Sequence, residues 1–437
     1  MRLRLTAAAF VVIALLVTSG SASAAEPYTS VKGAAGPGPA RYDKVFVHRI
    51  GPAKAKRVLV LVPGFLGGAG DFRVIARDIV KRVPNLQVWA LDRRQQAFED
   101  TAVFEAGDPA RALDYYLGFN YRKVNAADVP FVGRWGLKVA LEDLRKVVRK
   151  ARAGGRRKVI LGGHSLGAST TVAYASWDFK GRPGYRDLDG MVLIDGGLLG
   201  SFDSASLREA RRELATIRGG QVFDDLLGFG IPEVTGILAE LAALYARKQP
   251  NSVSPLQAST LIPPEFKPSF PVTNEAALGY AFDKDTSPPA FSLIRINAGG
   301  LAASGNPRPW RDGRELTPIQ RFALAFGSER PNAIDWYFPR RLRLDVDAMS
   351  PLRRTAVTRL LGLRPFHARR IRTPLYAFQT DLTNGRVYKG ALRLVRRSRI
   401  KIYRIHSDEN QSHLDPLVAK PSRNRFLKTV VPFLRAR

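Results

Sequence analysis

Residues 157–170 read Arg-Lys-Val-Ile-Leu-Gly-Gly-His-Ser-Leu-Gly-Ala-Ser-Thr, an apolar β-branched run that breaks into Gly-x-Ser-x-Gly and then into small residues. The pattern predicts a buried strand, a sharp turn and a helix. A serine at such a turn must take up a strained backbone conformation. Gly163 and Gly167 carry no Cβ, so strand and helix can approach closely around it. Ser165 then presents its hydroxyl at the carboxyl edge of a sheet, as a nucleophile would. The competing reading is a purely structural glycine turn.

Composition bounds what surrounds this stretch. The chain has 437 residues, 45% of them hydrophobic, enough for a sizeable core and too apolar for general disorder. Its start, Met1-Arg2-Leu3-Arg4, is followed by an apolar run from Leu5 to Val17 and by small residues up to Ala25. A basic end, a short apolar segment and an Ala-x-Ala site predict a secretory signal peptide over residues 1–24, cleaved after Ala24, and hence a secreted protein. The apolar run is too short to read as a membrane anchor. The chain has no cysteine, which excludes disulfides and thiolate chemistry. Its formal charge is +31, and the arginines that carry most of it are scattered. No basic helix interleaved with aromatics is present, so a nucleic-acid partner is not expected, and weak adsorption to anionic surfaces is the most the charge implies.

After a Gly/Pro/Ala linker over residues 25–40, residues 41–50 alternate as a half-exposed strand. Residues 57–68, Arg-Val-Leu-Val-Leu-Val-Pro-Gly-Phe-Leu-Gly-Gly, read as a buried strand opening into a glycine turn. That loop lacks both the Walker ending and the full dinucleotide spacing, so nucleotide binding is not expected. A helix over 71–83, a strand over 86–91, a long aromatic connection over 93–135 and a helix over 137–153 lead to the Ser165 stretch. A further strand over 188–194 ends at Asp195-Gly196-Gly197. The strand/helix rhythm then stops. It resumes with strands over 373–379 and 400–405, a loop holding His406 and His413, and a final helix over 421–435. This organisation predicts a core over 41–200 and 370–437, with residues 201–369 inserted as a mainly helical cap.

The Gly-His-Ser-Leu-Gly pentapeptide between an apolar strand and a helix resembles the nucleophile elbow of the α/β-hydrolase superfamily, among whose lipases and esterases the His164 variant is common. The resemblance covers the core segments and leaves the cap unmatched. It implies an α/β fold with a mostly parallel central sheet, helices on both faces and the cap inserted after the sixth core strand. It also implies an oxyanion hole from the backbone N–H groups of Phe65 and Leu166. Two departures stand out. Pro63-Gly64 replaces the family's frequent His-Gly, and Asp92-Arg93-Arg94 lacks the glycine of an Asp-x-Arg-Gly turn.

A serine hydroxyl needs a general base held in one tautomer by a carboxylate. The superfamily places its base after the last core strand, which favours His413, at the tip of its loop, over His406, directly after the strand. The usual position of the acid favours Asp381; Asp195, at the end of the earlier strand, is the alternative. No metal or other cofactor is required, since the histidines form no ligand cluster. The expected function is that of a secreted serine hydrolase cleaving small-molecule or polymeric carboxylic esters through an acyl-enzyme. The rivals are an acyltransferase using the same triad on envelope lipids or sugars, and a non-catalytic binding protein on the same scaffold.

Overall fold

The computed structural model describes residues 26–311, 313, 315–327 and 330–437, so the expected signal peptide lies outside the described residues. Eight strands form one sheet: β1 (Tyr28–Lys32), β2 (Lys44–Ile50), β3 (Arg57–Val62), β4 (Leu86–Asp92), β5 (Lys158–His164), β6 (Gly190–Ile194), β7 (Leu375–Gln379) and β8 (Tyr403–Ser407). Their spatial order is β1-β2-β4-β3-β5-β6-β7-β8. β1 runs antiparallel to β2, and β2 antiparallel to β4. Every later neighbour pair is parallel.

The continuous apolar runs of β3 and β5 have a physical cause: both faces of the sheet are covered. Val58, Val60 and Val62 point into one core, shared with Leu141, Leu144 and Val148 of helix α2 (Leu137–Arg152). Leu59 and Leu61 point into the other, shared with Ile75 and Ile79 of α1 (Arg73–Val80). Alternate residues thus serve opposite cores. Each such fully buried aliphatic side chain contributes roughly 1.5–3 kcal/mol by leaving water. Helix α3 (Leu166–Ser176) follows β5 and is buried along its whole length.

The expected linker over 25–40 is corrected: it contains β1, paired with β2 from Tyr28 opposite His48 to Lys32 opposite Lys44. Of the β1 side chains only Val31 is buried. An edge strand that buries one residue leaves no apolar alternation for a sequence reading to detect.

Between β6 and β7, the described residues of 195–374 add no strand to this sheet. They contain helices α4 (Leu207–Arg218), α5 (Val234–Lys248), α6 (Asn274–Phe282), α7 (Ile319–Phe326) and α8 (Arg340–Ala348). Helix α5 packs against both α6 and α7 and buries 11 of its 15 residues. It therefore lacks the polar stripe of a surface helix. The segment then returns to the loop after β3. Gly68 N–H donates to the Ala333 carbonyl at 2.6 Å, Gly70 N–H to Asn332 at 2.9 Å, and Asp335 N–H to Leu66 at 2.8 Å. The aromatic connection over 93–135 packs into a third core with this segment, Phe98 stacking on Trp135 and Phe104 on Tyr116 beside Trp336. No helix among the described residues is long and apolar enough to cross a membrane.

Candidate active site

The turn between β5 and α3 has the strain its sequence demands. Ser165 sits at φ 52°, ψ −121°, a region that residues with a Cβ rarely occupy, at a cost on the order of 1–3 kcal/mol. The packing leaves the chain no easier path. A Cβ on Gly163 would lie 2.3 Å from the Gly167 carbonyl carbon, and one on Gly167 would lie 2.0 Å from the Val62 oxygen. Ser165 N–H donates to the Ile194 carbonyl at 2.9 Å, tying the turn to the end of β6.

The next residue after β6 is Asp195, fully buried, and its carboxylate accepts from His413 Nδ1 at 2.6 Å. Burial by itself would raise the Asp195 pKa. The hydrogen bond and charge of His413, with the N–H and hydroxyl of Thr380, outweigh it and hold the carboxyl below its usual range. An ionised carboxylate only accepts, so His413 carries its proton on Nδ1 and Nε2 is the nitrogen left for other work. His413 is fixed from a second side, because His164 Nε2 donates to its carbonyl at 2.9 Å and the two rings lie 4.3 Å apart. Burial first, and the neighbouring His413 second, push the His164 pKa down to about 3, so this ring is neutral.

The loop after β3 is gripped from below. Arg93 donates to the Pro63 carbonyl at 2.6 Å and to those of Gly64 and Gly67 at 3.2 Å. Gln95, at the position of the missing glycine in the Asp92-Arg93-Arg94 turn, lies in a short 3₁₀ helix (Arg94–Phe98) and is not at positive φ, so this turn needs no glycine. Several carboxyls crowd this region. Burial raises Asp92 to about 7 and Asp335 to about 6, and in the loop after His413 it raises Asp415 to about 7. Each folded-state carboxyl keeps a proton that the unfolded chain releases above pH about 4. Their contribution to stability is therefore full below that pH and is lost as pH rises towards 7. His164 acts oppositely, but its loss occurs as pH falls from about 6.5 towards 3. The urea midpoint is therefore expected to fall between about pH 5 and pH 8. A midpoint that rises across this range would show these carboxyls to be ionised in the fold.

Ser165, His164, His413 and the Phe65 loop line one cavity, whose remaining wall is largely apolar and comes mostly from the 195–374 segment, including Leu226, Phe282, Phe291 and Ile334.

No family model matches the chain, and no curated protein matches it. Among solved structures it is similar to a candidate lipase from Sulfolobus solfataricus, with a TM-score of 0.51 at 15% identity over 94% of this chain and 93% of that one. It is also similar to Epoxide Hydrolase A from Mycobacterium thermoresistibile, with a TM-score of 0.45 at 14% identity over 94% and 98% of the two chains. A monoacylglycerol lipase from Paleococcus ferrophilus gives 0.40 at 14% identity over 90% and 98%. The chain has the α/β-hydrolase fold.

Within this α/β-hydrolase fold, the structure brings Ser165 and His413 to one cavity and sets Asp195 against His413. Asp381 is corrected. Its carboxylate accepts from Ser412 Oγ at 3.1 Å, and its N–H donates to the Gln411 carbonyl, so it braces the loop and leaves the imidazole to Asp195. His406 is also elsewhere, lying within β8 opposite Phe378. Sequence reasoning missed the His164 bond to the His413 carbonyl, the two Thr380 donors and the role of Asp415. The Asp415 carboxylate accepts from Ser412 N–H at 2.7 Å, from Thr317 Oγ1 at 2.6 Å and from Asn297 N–H at 3.0 Å, which ties the His413 loop to the inserted segment. Asp415 before Pro416, at the start of a short helix, was the available signal.

Proposed function

We propose that this chain is a serine hydrolase that cleaves carboxylic esters through an acyl-enzyme, exported by the signal peptide read at residues 1–24, with residues 201–369 acting as a cap over the site. The observation that carries the reading is a strained Ser165 sharing one cavity with a His413 whose Nδ1 is held by a buried, ionised Asp195. In this reading His413 Nε2 takes the Ser165 proton as Oγ attacks the ester carbonyl carbon. The tetrahedral oxyanion is stabilised by the N–H groups of Phe65 and Leu166, each worth a factor of about 10²–10³. The N-terminal end of α3 adds its positive dipole at the same place. The C–O bond then breaks, and the leaving alkoxide collects the proton from His413 as an alcohol. Water, deprotonated by His413 in turn, attacks the acyl carbon and frees the acid and Ser165. Asp195 remains ionised throughout and stabilises the imidazolium.

The reading is tested with a fluorophosphonate probe. Covalent labelling of the folded wild type that disappears in Ser165→Ala is expected. Folded wild type that is not labelled at Ser165 overturns the reading and leaves a binding protein on a hydrolase scaffold.

A further inference from the structure

A second cavity adjoins the one at Ser165 and shares Leu226, Thr235, Phe282, Phe291, Ile294 and Ile334 with it. Past that common wall its lining includes Leu238, Ala239 and Ala242 of α5 facing Ala277 and Ala281 of α6. Four of these five residues are alanines, and larger side chains on the two helices would fill the space. Polar groups at the edge are already committed. The Gln257 amide donates to the Pro268 and Phe270 carbonyls and accepts from Val272 N–H, and the Lys267 ammonium donates to the Gln257 and Ser259 carbonyls. The hydroxyl of Thr235, at the junction, has no hydrogen-bond partner among the described residues. An occupant of this inner chamber meets almost only hydrocarbon, while the adjoining chamber holds the Ser165 hydroxyl.

We infer that the inner chamber receives the distal part of a long acyl chain whose carbonyl carbon is placed at Ser165, so that the substrates are esters of long-chain fatty acids. The inference rests on the serine-hydrolase reading above and adds to it the acyl specificity. Burial of each methylene favours binding by about fourfold, so a chain that enters the inner chamber is strongly preferred over one that ends in the outer one. The specificity is thereby set by α5 and α6, which contribute nothing to the proposed chemistry.

The test compares kcat/KM for p-nitrophenyl palmitate and butyrate, below their aggregation limits, in the wild type, in Ala242→Phe and in the milder Ala239→Leu. Wild type is expected to favour palmitate by more than tenfold. The palmitate-to-butyrate ratio is expected to fall more than tenfold in Ala242→Phe and by a smaller factor in Ala239→Leu. A wild type without preference for palmitate, or a ratio that neither variant moves, overturns the inference while Ser165-dependent hydrolysis of butyrate keeps the hydrolase reading. If no ester is hydrolysed in a Ser165-dependent way, the hydrolase reading itself falls. Binding gives a readout without turnover. In Ser165→Ala, cis-parinaric acid fluorescence should rise on binding and be displaced by palmitate but not by butyrate. Adding Ala242→Phe should weaken that binding at least tenfold, and equal binding in both proteins overturns the inference.

Discussion

Asp195→Asn is expected to lower kcat for ester hydrolysis by about 10⁴-fold, whereas Asp381→Asn leaves it within about tenfold. The first expectation follows from tautomer control. His413 Nδ1 lies 2.6 Å from the Asp195 carboxylate, which is buried, held below its usual pKa and further fixed by Thr380. An amide there can present N–H to the imidazole and favour the tautomer protonated on Nε2, which cannot accept the Ser165 proton. The second follows from what Asp381 touches. It meets Ser412 Oγ, an interaction whose acceptor an asparagine retains. Kinetics on both variants, with circular dichroism to verify folding, checks the pair. The opposite order of effects would falsify the assignment of the acid.

Ser165→Gly is expected to reduce hydrolysis by about 10⁶-fold while unfolding at no lower urea concentration than the wild type. Its two halves have separate causes. Activity goes because the attacking oxygen is gone. Stability is kept because the backbone at φ 52°, ψ −121° strains any residue with a Cβ, and glycine releases roughly 1–3 kcal/mol of that strain. The release offsets the roughly 0.5–1 kcal/mol that glycine costs through extra freedom in the unfolded chain. Ser165→Ala retains the Cβ and should unfold earlier than Ser165→Gly. Urea titrations of the three proteins test this, and an alanine variant more stable than the glycine variant would show that the turn is not strained.

The unbroken apolar runs of β3 and β5 and the Gly-x-Ser-x-Gly turn made the centre of the sheet and Ser165 legible from the chain, because each is a local pattern with one physical explanation. His413 was legible for a related reason: few histidines exist, and only two lie beyond residue 405, where the last core strand was expected to end. The edge strand β1 was not legible, because pairing with β2 gives it its structure and it buries little of its own.

The choice between Asp195 and Asp381 shows where local reading stops. Both acids follow a strand, both stand in turn-forming sequence, and nothing within a few residues distinguishes them. The tertiary structure decides, since the parallel pairing of β6 with β7 sets Asp195 beside Thr380, and the His413 loop folds back over that junction. Asp381, a single residue beyond Thr380, faces Ser412 instead. The cavities follow the same division. Residues 201–369 were expected to be mainly helical, but their joint walls exist only because α5 and α6 pack together and residues 332–335 return to the loop after β3. The sequence by itself determined the strained serine and the sheet that carries it, because those depend on neighbours in the chain. The carboxylate set against His413 and the His164 brace on its carbonyl come from 218 and 249 positions away in the chain, and the space before Ser165 from separate helices and loops, which only packing brings together.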